Sequence, residues 1–273
     1  IDIYMLHRDS HTVPVGVIVE ALNRLYDECK ISVLGGSNWT HQRIAEANEY
    51  AKKCDRDGFI VSSGGYIQCG DEVIYDCPLT EEQRVLALGL FEKNNIFRTI
   101  ECNEGSFTTE SFKEFLRKNA ETSGNSEFLR WREQLEKNLN MRPIEEYENQ
   151  AVYKVVLMVD EEWKLEEPMK VLGDEFTFVI QEKNAQGYIN CEFISKQYDK
   201  GQAVKRVCDY LGVDVKNTFA FGDSMNDLEM METAGYSICM ENGSPALKDI
   251  ADEICKSVSE DGLYKAFEKH GLL

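Results

Sequence analysis

The sequence predicts an α/β fold: a doubly wound, Rossmann-like parallel sheet with an inserted α+β cap domain. Three observations predict it. Short apolar runs alternate with helical patterns at the amino end, the same alternation returns after Lys200, and the middle mixes strand pairs with helices. Alternating βα units imply parallel strands joined by right-handed crossovers. A chain of 273 residues with 42% apolar content can bury an ordinary core in one large domain or two moderate ones.

In order, Ile3–Leu6 is a short apolar strand, and Val15–Cys29 has helical spacing through Ile18, Leu22, Leu25 and Tyr26. Ile31–Leu34 reads as a second strand ended by Gly35-Gly36, His41–Lys53 as a helix and Phe59–Val61 as a third strand. Ser62–Tyr75 reads as a hairpin region, because Gly64-Gly65 and Gly70-Asp71 are turn signals. The insert then offers helices at Glu81–Asn94, Phe112–Lys118 and Glu162–Leu172, with strands near Phe97–Cys102, Ser106–Thr109, Val152–Val159, Phe176–Ile180 and Tyr188–Ile194. Trp131 and Trp163 lie in amphipathic patterns and are expected to pack inside. After Lys200 come helix Gln202–Leu211, strand Thr218–Phe221, helix Leu228–Thr233 and strand Tyr236–Met240. Ser244-Pro245 is an N-cap and N1 pair for the next helix. Ile254–Lys256 is a last short strand, and Asp261 is placed to cap the helix Leu263–Lys269. The expected domains are a core from residues 1–80 and 189–273, and a cap from residues 81–188.

Charge narrows the partners. The chain carries 30 Lys+Arg against 49 Asp+Glu, a net −19, which disfavours nucleic acid and anionic membranes. Nine scattered cysteines without a CxxC pair read as reduced thiols of a cytoplasmic protein. No apolar run is long enough to span a bilayer, and no signal peptide is visible. The chain begins at Ile1, within a strand pattern and without Met, which points to a missing or altered start.

The chemistry concentrates in Phe219-Ala220-Phe221-Gly222-Asp223-Ser224-Met225-Asn226-Asp227-Leu228. An apolar strand ends in Gly-Asp, and a short loop leads through Asn-Asp into a helix. Carboxylates and an amide therefore gather at the carboxyl end of a buried strand, where open α/β sheets bind ligands. Hard oxygen ligands there suit Mg²⁺. Lys200-Gly201 opens another helix, and a lysine beside free backbone N–H groups makes an anion site. Lys200 alone reads as a solvated lysine; with the Gly222–Asp227 loop it reads as charge neutralisation for phosphoryl transfer.

Lys200-Gly201, Gly222–Asp227, Ala234-Gly235, Met240-Glu241-Asn242 and Glu260-Asp261-Gly262 resemble the haloacid dehalogenase (HAD) superfamily, in particular its Cof-type phosphatases. Asp57-Gly58-Phe59-Ile60 and Gly64-Gly65-Tyr66-Ile67 extend the resemblance upstream. The resemblance implies a Mg²⁺-dependent phosphatase of small phosphorylated metabolites such as sugar phosphates. It makes Lys200 the phosphate-binding lysine and Asp223 a metal ligand, with Asn226 and Asp227 supporting the metal shell and the lysine. Ser37 falls near the family's phosphate-binding Ser/Thr.

The first strand departs from that family. Its Asp-x-Asp-Gly-Thr sequence, with an aspartate nucleophile, is absent. Aligning Met5-Leu6-His7-Arg8-Asp9-Ser10 on it puts His7 at the nucleophile and Asp9 at the second aspartate. Asp9 is the better carboxylate candidate for catalysis and metal than Asp2, which opens a strand at the wrong end of the sheet. Residues 1–53 instead resemble a fragment of the aldo-keto reductases, through Ile1–Arg8, Ala21–Leu25, Gly35-Gly36-Ser37-Asn38-Trp39 and Ile44–Ala47. That likeness implies a catalytic His7 and a nicotinamide held by Ser37 and Asn38. The family's tyrosine, lysine and aspartate have no counterpart here. Three functions follow as expectations: an impaired phosphatase, a non-catalytic binder of phosphate and Mg²⁺, and, as the weakest, a reductase.

Overall fold

The computed structural model describes residues 4–6, 13–27, 34–37, 46–47, 49–50, 58–102, 105–110, 112–113, 141–180, 183, 187–257 and 260–272. The chain divides into two compact units, Ile1–Asp76 with Tyr198–Leu273, and Cys77–Gln197.

The amino part of the first unit contains β1 (Tyr4–Leu6), α1 (Val15–Asp27), β2 (Leu34–Ser37), β3 (Gly58–Val61), β4 (Tyr66–Cys69) and β5 (Glu72–Asp76). They form one sheet in the order β1-β2-β3-β4-β5. The first three strands are parallel, and β3, β4 and β5 continue as antiparallel hairpins. Helix α1 buries Val15 and Val19 against Val61, which sets the α layer on this sheet. Strand β2 runs through Gly35-Gly36 instead of stopping there. As a central strand it is laddered on both sides, Met5 to Gly35 and Gly35 to Gly58, so backbone pairing outweighs the weak strand preference of glycine.

The second unit contains α2 (Glu81–Lys93), β6 (Phe97–Cys102), β7 (Gly105–Thr108), β8 (Met141–Pro143), β9 (Val152–Val159), α3 (Glu166–Leu172), β10 (Phe176–Ile180) and β11 (Ile189–Ser195). Its sheet has the order β10-β11-β9-β6-β7-β8. Thr80 opens α2 with a reciprocal capping box to Gln83. One face of the sheet packs Ile100, Val155, Leu157 and Phe193 against Ala87 and Phe91 of α2. Phe193 stacks on Phe176 at 4.3 Å and meets Phe91 edge-on at 5.1 Å. Truncating such a buried aromatic removes its contacts and leaves a cavity, so Phe193→Ala is expected to destabilise this unit by about 3–5 kcal/mol in urea unfolding. The opposite face carries Lys154, ion-paired with Glu101 and Glu192 at 3.4 Å each.

Two expectations differ here. Strand β11 is laddered to β9 and β10, so residues 189–197 belong to the compact unit of the insert, and the unit boundaries fall at 76/77 and 197/198. Trp163 is 57% exposed; it lies in a 3-10 turn, Glu162–Leu165, that buries Leu165 instead. Trp131 lies outside the described residues.

The chain re-enters the first unit with α4 (Lys200–Leu211), β12 (Phe219–Gly222), α5 (Leu228–Thr233), β13 (Tyr236–Met240), α6 (Pro245–Ile250), β14 (Glu253–Cys255) and α7 (Gly262–Lys269). Strands β12, β13 and β14 form a parallel three-stranded sheet. Ser244 caps α6 through Leu247 N–H with Pro245 in its first turn, as read from the sequence. Asp261 precedes α7 in a left-handed conformation (φ 56°) and makes no side-chain cap. A single sheet was expected from both ends of the chain; among the described residues no ladder joins β1 to β12. Helix α4 ties the two sheets together instead. Ala203 and Val207 pack on Ile60, Ile67 and Cys69 of the first sheet. Gly201 lies so close to α5 that a Cβ there would stand 2.4 Å from the Glu229 carbonyl oxygen.

Among the described residues no helix is long and apolar enough to cross a membrane. Cys69, Cys77, Cys191, Cys208, Cys239 and Cys255 are free thiols.

Candidate active site

The site is built where α4 begins and β12 ends. Asp199 caps α4, its carboxylate accepting from Gln202 N–H at 2.7 Å, and this fixes the direction in which the helix starts. Lys200 follows and is only 3% exposed. A buried ammonium requires partners, and the Gly222–Asp227 loop supplies them. Lys200 Nζ donates to Asp227 Oδ1 at 2.6 Å and to Asn226 Oδ1 at 3.4 Å.

The loop is shaped by the same carboxylate. Asp227 Oδ2 accepts from the backbone N–H of Asp223 at 3.1 Å and of Ser224 at 3.2 Å. Ser224 Oγ donates to Asn226 Oδ1 at 2.7 Å, and Ser224 with Asp227 forms a capping box at the 3-10 turn before α5. Gly222 makes this fold possible. A Cβ there would lie 2.9 Å from Asp227 Cβ and 3.1 Å from Met231 Sδ, so a larger residue would push Asp227 out of its seat. The loop after β13 closes the back, with Ser244 N–H donating to the Asp223 carbonyl at 3.0 Å.

Asp227 is fully buried, with one oxygen on Lys200 and the other on two backbone N–H groups. That geometry lets it hold both the lysine and the loop. Asp223 lies at the carboxyl end of β12, partly exposed, the position at which a carboxylate can meet a ligand. Burial shifts two neighbouring groups upward. Burial raises the Glu229 carboxyl above its usual range, helped by the charges of Asp199 and Glu232. Burial also pushes the Cys239 thiol up to about 11, so it is not a thiolate nucleophile near neutral pH.

The structure thus brings Lys200, Asn226 and Asp227 into one network, with Asp223 on the same loop. The backbone of Ser37 closes β2, and β1 ends at Leu6 on the same edge of a parallel sheet. His7, Asp9 and Asn38 lie outside the described residues. Sequence reasoning gave no role to Ser224, although Ser224-x-x-Asp227 carries the capping-box spacing that could have revealed it. The chain's single Asp-x-Asp, Asp55-Arg56-Asp57, precedes β3 and does not follow β1.

A buried lysine held by a carboxylate and an amide thus stands beside an aspartate at the carboxyl edge of parallel strands. A family model of haloacid dehalogenase-like hydrolases matches residues 39–267, and the chain belongs to that family, in its Cof-type branch. It is 33% identical to YkrA of Bacillus subtilis over 127 residues, 46% of each chain. It is 39% identical to the phosphatase YwpJ of the same organism over 74 residues, 27% of this chain and 26% of that one. The chain spans about half or less of the length of these curated relatives. In structure it is similar to a haloacid dehalogenase-like hydrolase from B. subtilis, with a TM-score of 0.70 and 18% identity, covering 96% of this chain and 97% of that one. It is also similar to the subclass IIB sugar phosphatase BT4131, with a TM-score of 0.67 and 20% identity over the whole of both chains. These likenesses establish the Rossmann-like α/β fold.

Proposed function

We propose that the protein is a Mg²⁺-dependent phosphatase of small phosphorylated metabolites such as sugar phosphates, slowed by the loss of the family's aspartate nucleophile. The observation that carries this reading is the buried Lys200–Asp227–Asn226 network beside Asp223. Lys200 binds the phosphoryl oxygens, with the free N–H groups at the start of α4. Asn226 and Asp227 hold the lysine in place. Ser37 is assigned as a further phosphate contact.

Asp223 offers the hard oxygen that Mg²⁺ takes. Among the described residues no group of three His, Cys, Asp or Glu side chains is placed to hold a metal. A second carboxylate is assigned to Asp9 by its place in the sequence just after β1, and it also takes the catalytic role. Mg²⁺, when bound, would neutralise charge on the transferring phosphoryl group. The inserted unit, residues 77–197, is assigned the role of a cap that excludes water during the reaction.

The test is phosphate release from a chromogenic phosphate ester with and without Mg²⁺. Turnover should require Mg²⁺, and Asp223→Asn should reduce it by at least about a hundredfold, the scale of removing a group that stabilises transition-state charge. Turnover equal in Asp223→Asn and wild type would refute the assignment. A second reading, a non-catalytic binder of phosphate and Mg²⁺, is favoured by the absent Asp-x-Asp-Gly-Thr sequence. It predicts binding heat with sugar phosphates, lost in Lys200→Ala, and no turnover.

A further inference from the structure

The turn that follows β3 is strained. Ser62 and Ser63 both adopt left-handed backbone, with φ of 50° and 60°, and Gly64 follows at 101°. Serine rarely occupies this region, and two in succession persist only where the surroundings enforce them. Ser63 is also 5% exposed, and among the described residues its Oγ has no hydrogen-bond partner. A buried hydroxyl left unmatched is a second local penalty at the same residue.

The enforcing contact is the start of α4. A Cβ on Gly64 would stand 2.7 Å from the Asp199 carbonyl oxygen and 3.0 Å from Ala203 Cβ. A Cβ on Gly65 would likewise stand 2.8 Å from Cζ of the Tyr198 ring. The turn is thus pressed against the residues on either side of Lys200, the first residue of a 12-residue helix. It also leaves the carboxyl end of β3, the edge at which parallel strands present ligand-binding loops. Strain, an unmatched donor and the helix start coincide at one place.

We propose that Ser63 is a phosphate-binding residue, whose hydroxyl donates a hydrogen bond to a phosphoryl oxygen of the anion received beside Lys200. This rests on the reading of Lys200 given above. A hydroxyl is a competent donor, and an oxyanion at a helix N-terminus takes more donors than one lysine provides.

Calorimetric titration with inorganic phosphate in the presence of Mg²⁺ tests this on wild type, Ser63→Ala and Ser63→Gly. Both variants should bind about ten- to a hundredfold more weakly, the range for a hydrogen bond to a charged group. Their thermal unfolding should match or exceed wild type, since an unmatched hydroxyl is removed and glycine relieves the positive φ. Retained affinity in Ser63→Gly with loss in Ser63→Ala would assign the effect to backbone geometry and overturn the proposal. Unchanged affinity in both would overturn it outright while leaving the Lys200 site intact. A folded wild type that takes up no phosphate would overturn the Lys200 reading and this one together.

Discussion

Lys200→Met is expected to abolish phosphate binding and to destabilise the first unit by about 3–5 kcal/mol, the scale of leaving one partner of a buried ion pair uncompensated. The argument follows from burial. Lys200 is 3% exposed and Asp227 fully buried, and they meet at 2.6 Å. Methionine keeps the stem and fills the space but leaves the Asp227 carboxylate without its cation. Asp227→Asn added to Lys200→Met should recover much of the stability, because a neutral amide is cheaper to bury than a lone charge. It should recover none of the phosphate affinity. Urea unfolding and phosphate calorimetry on the three variants separate the two effects. A loss of under about 1 kcal/mol in Lys200→Met would mean that the pair does little for the fold.

His7→Asp is expected to raise turnover of a chromogenic phosphate ester by on the order of a thousandfold, with Mg²⁺ present. Removing a nucleophile from an enzyme reduces rate by several orders of magnitude, and restoring one should regain a share of that. The substitution recreates Asp-Arg-Asp immediately after β1, with Asp9 as its second carboxylate. Strand β1 ends at Leu6 and runs parallel to β2 and β3, so the chain leaves it at the carboxyl edge of that sheet. His7→Asp combined with Asp223→Asn should return to background, which ties the gained activity to the proposed metal. No gain in His7→Asp would sink the alignment of the first strand on the family's nucleophile motif.

The part of the site after Lys200 was legible in the sequence because it is local. Lys200, Asn226 and Asp227 sit on one βα pattern with short loops, and the Gly-Asp ending an apolar strand announces its own geometry. The orientation of Asp227 was less legible than its place: which way its oxygens turn depends on how closely Gly222 lets it approach the strand. Ser63 was invisible for a related reason. It sits in a turn whose Gly64 packs against Asp199, far away along the chain, and no local pattern encodes that. Gly35-Gly36 misled because glycine usually ends strands, whereas ladders on both sides keep β2 going. The amino end remains the least legible. The family model begins at residue 39, so β1 and β2 lie outside the match.

The spacing of the Lys200–Asp227 pair has a consequence for how the molecule comes together. The two residues are 27 apart in sequence, within a single helix–strand–loop succession. The segment 198–273 therefore holds a complete buried electrostatic pair and its own three-stranded sheet before any contact with the amino end is needed. The turn at Ser62–Gly65 reaches α4 only by closing a loop that spans the whole inserted unit. Loop-closure entropy grows slowly with length, so this late step is thermodynamically mild but kinetically the non-local one. Refolding should then proceed with protection of amides in α4 and β12 first, and of those in β3 and β4 afterwards, a sequence that pulsed hydrogen exchange reads directly.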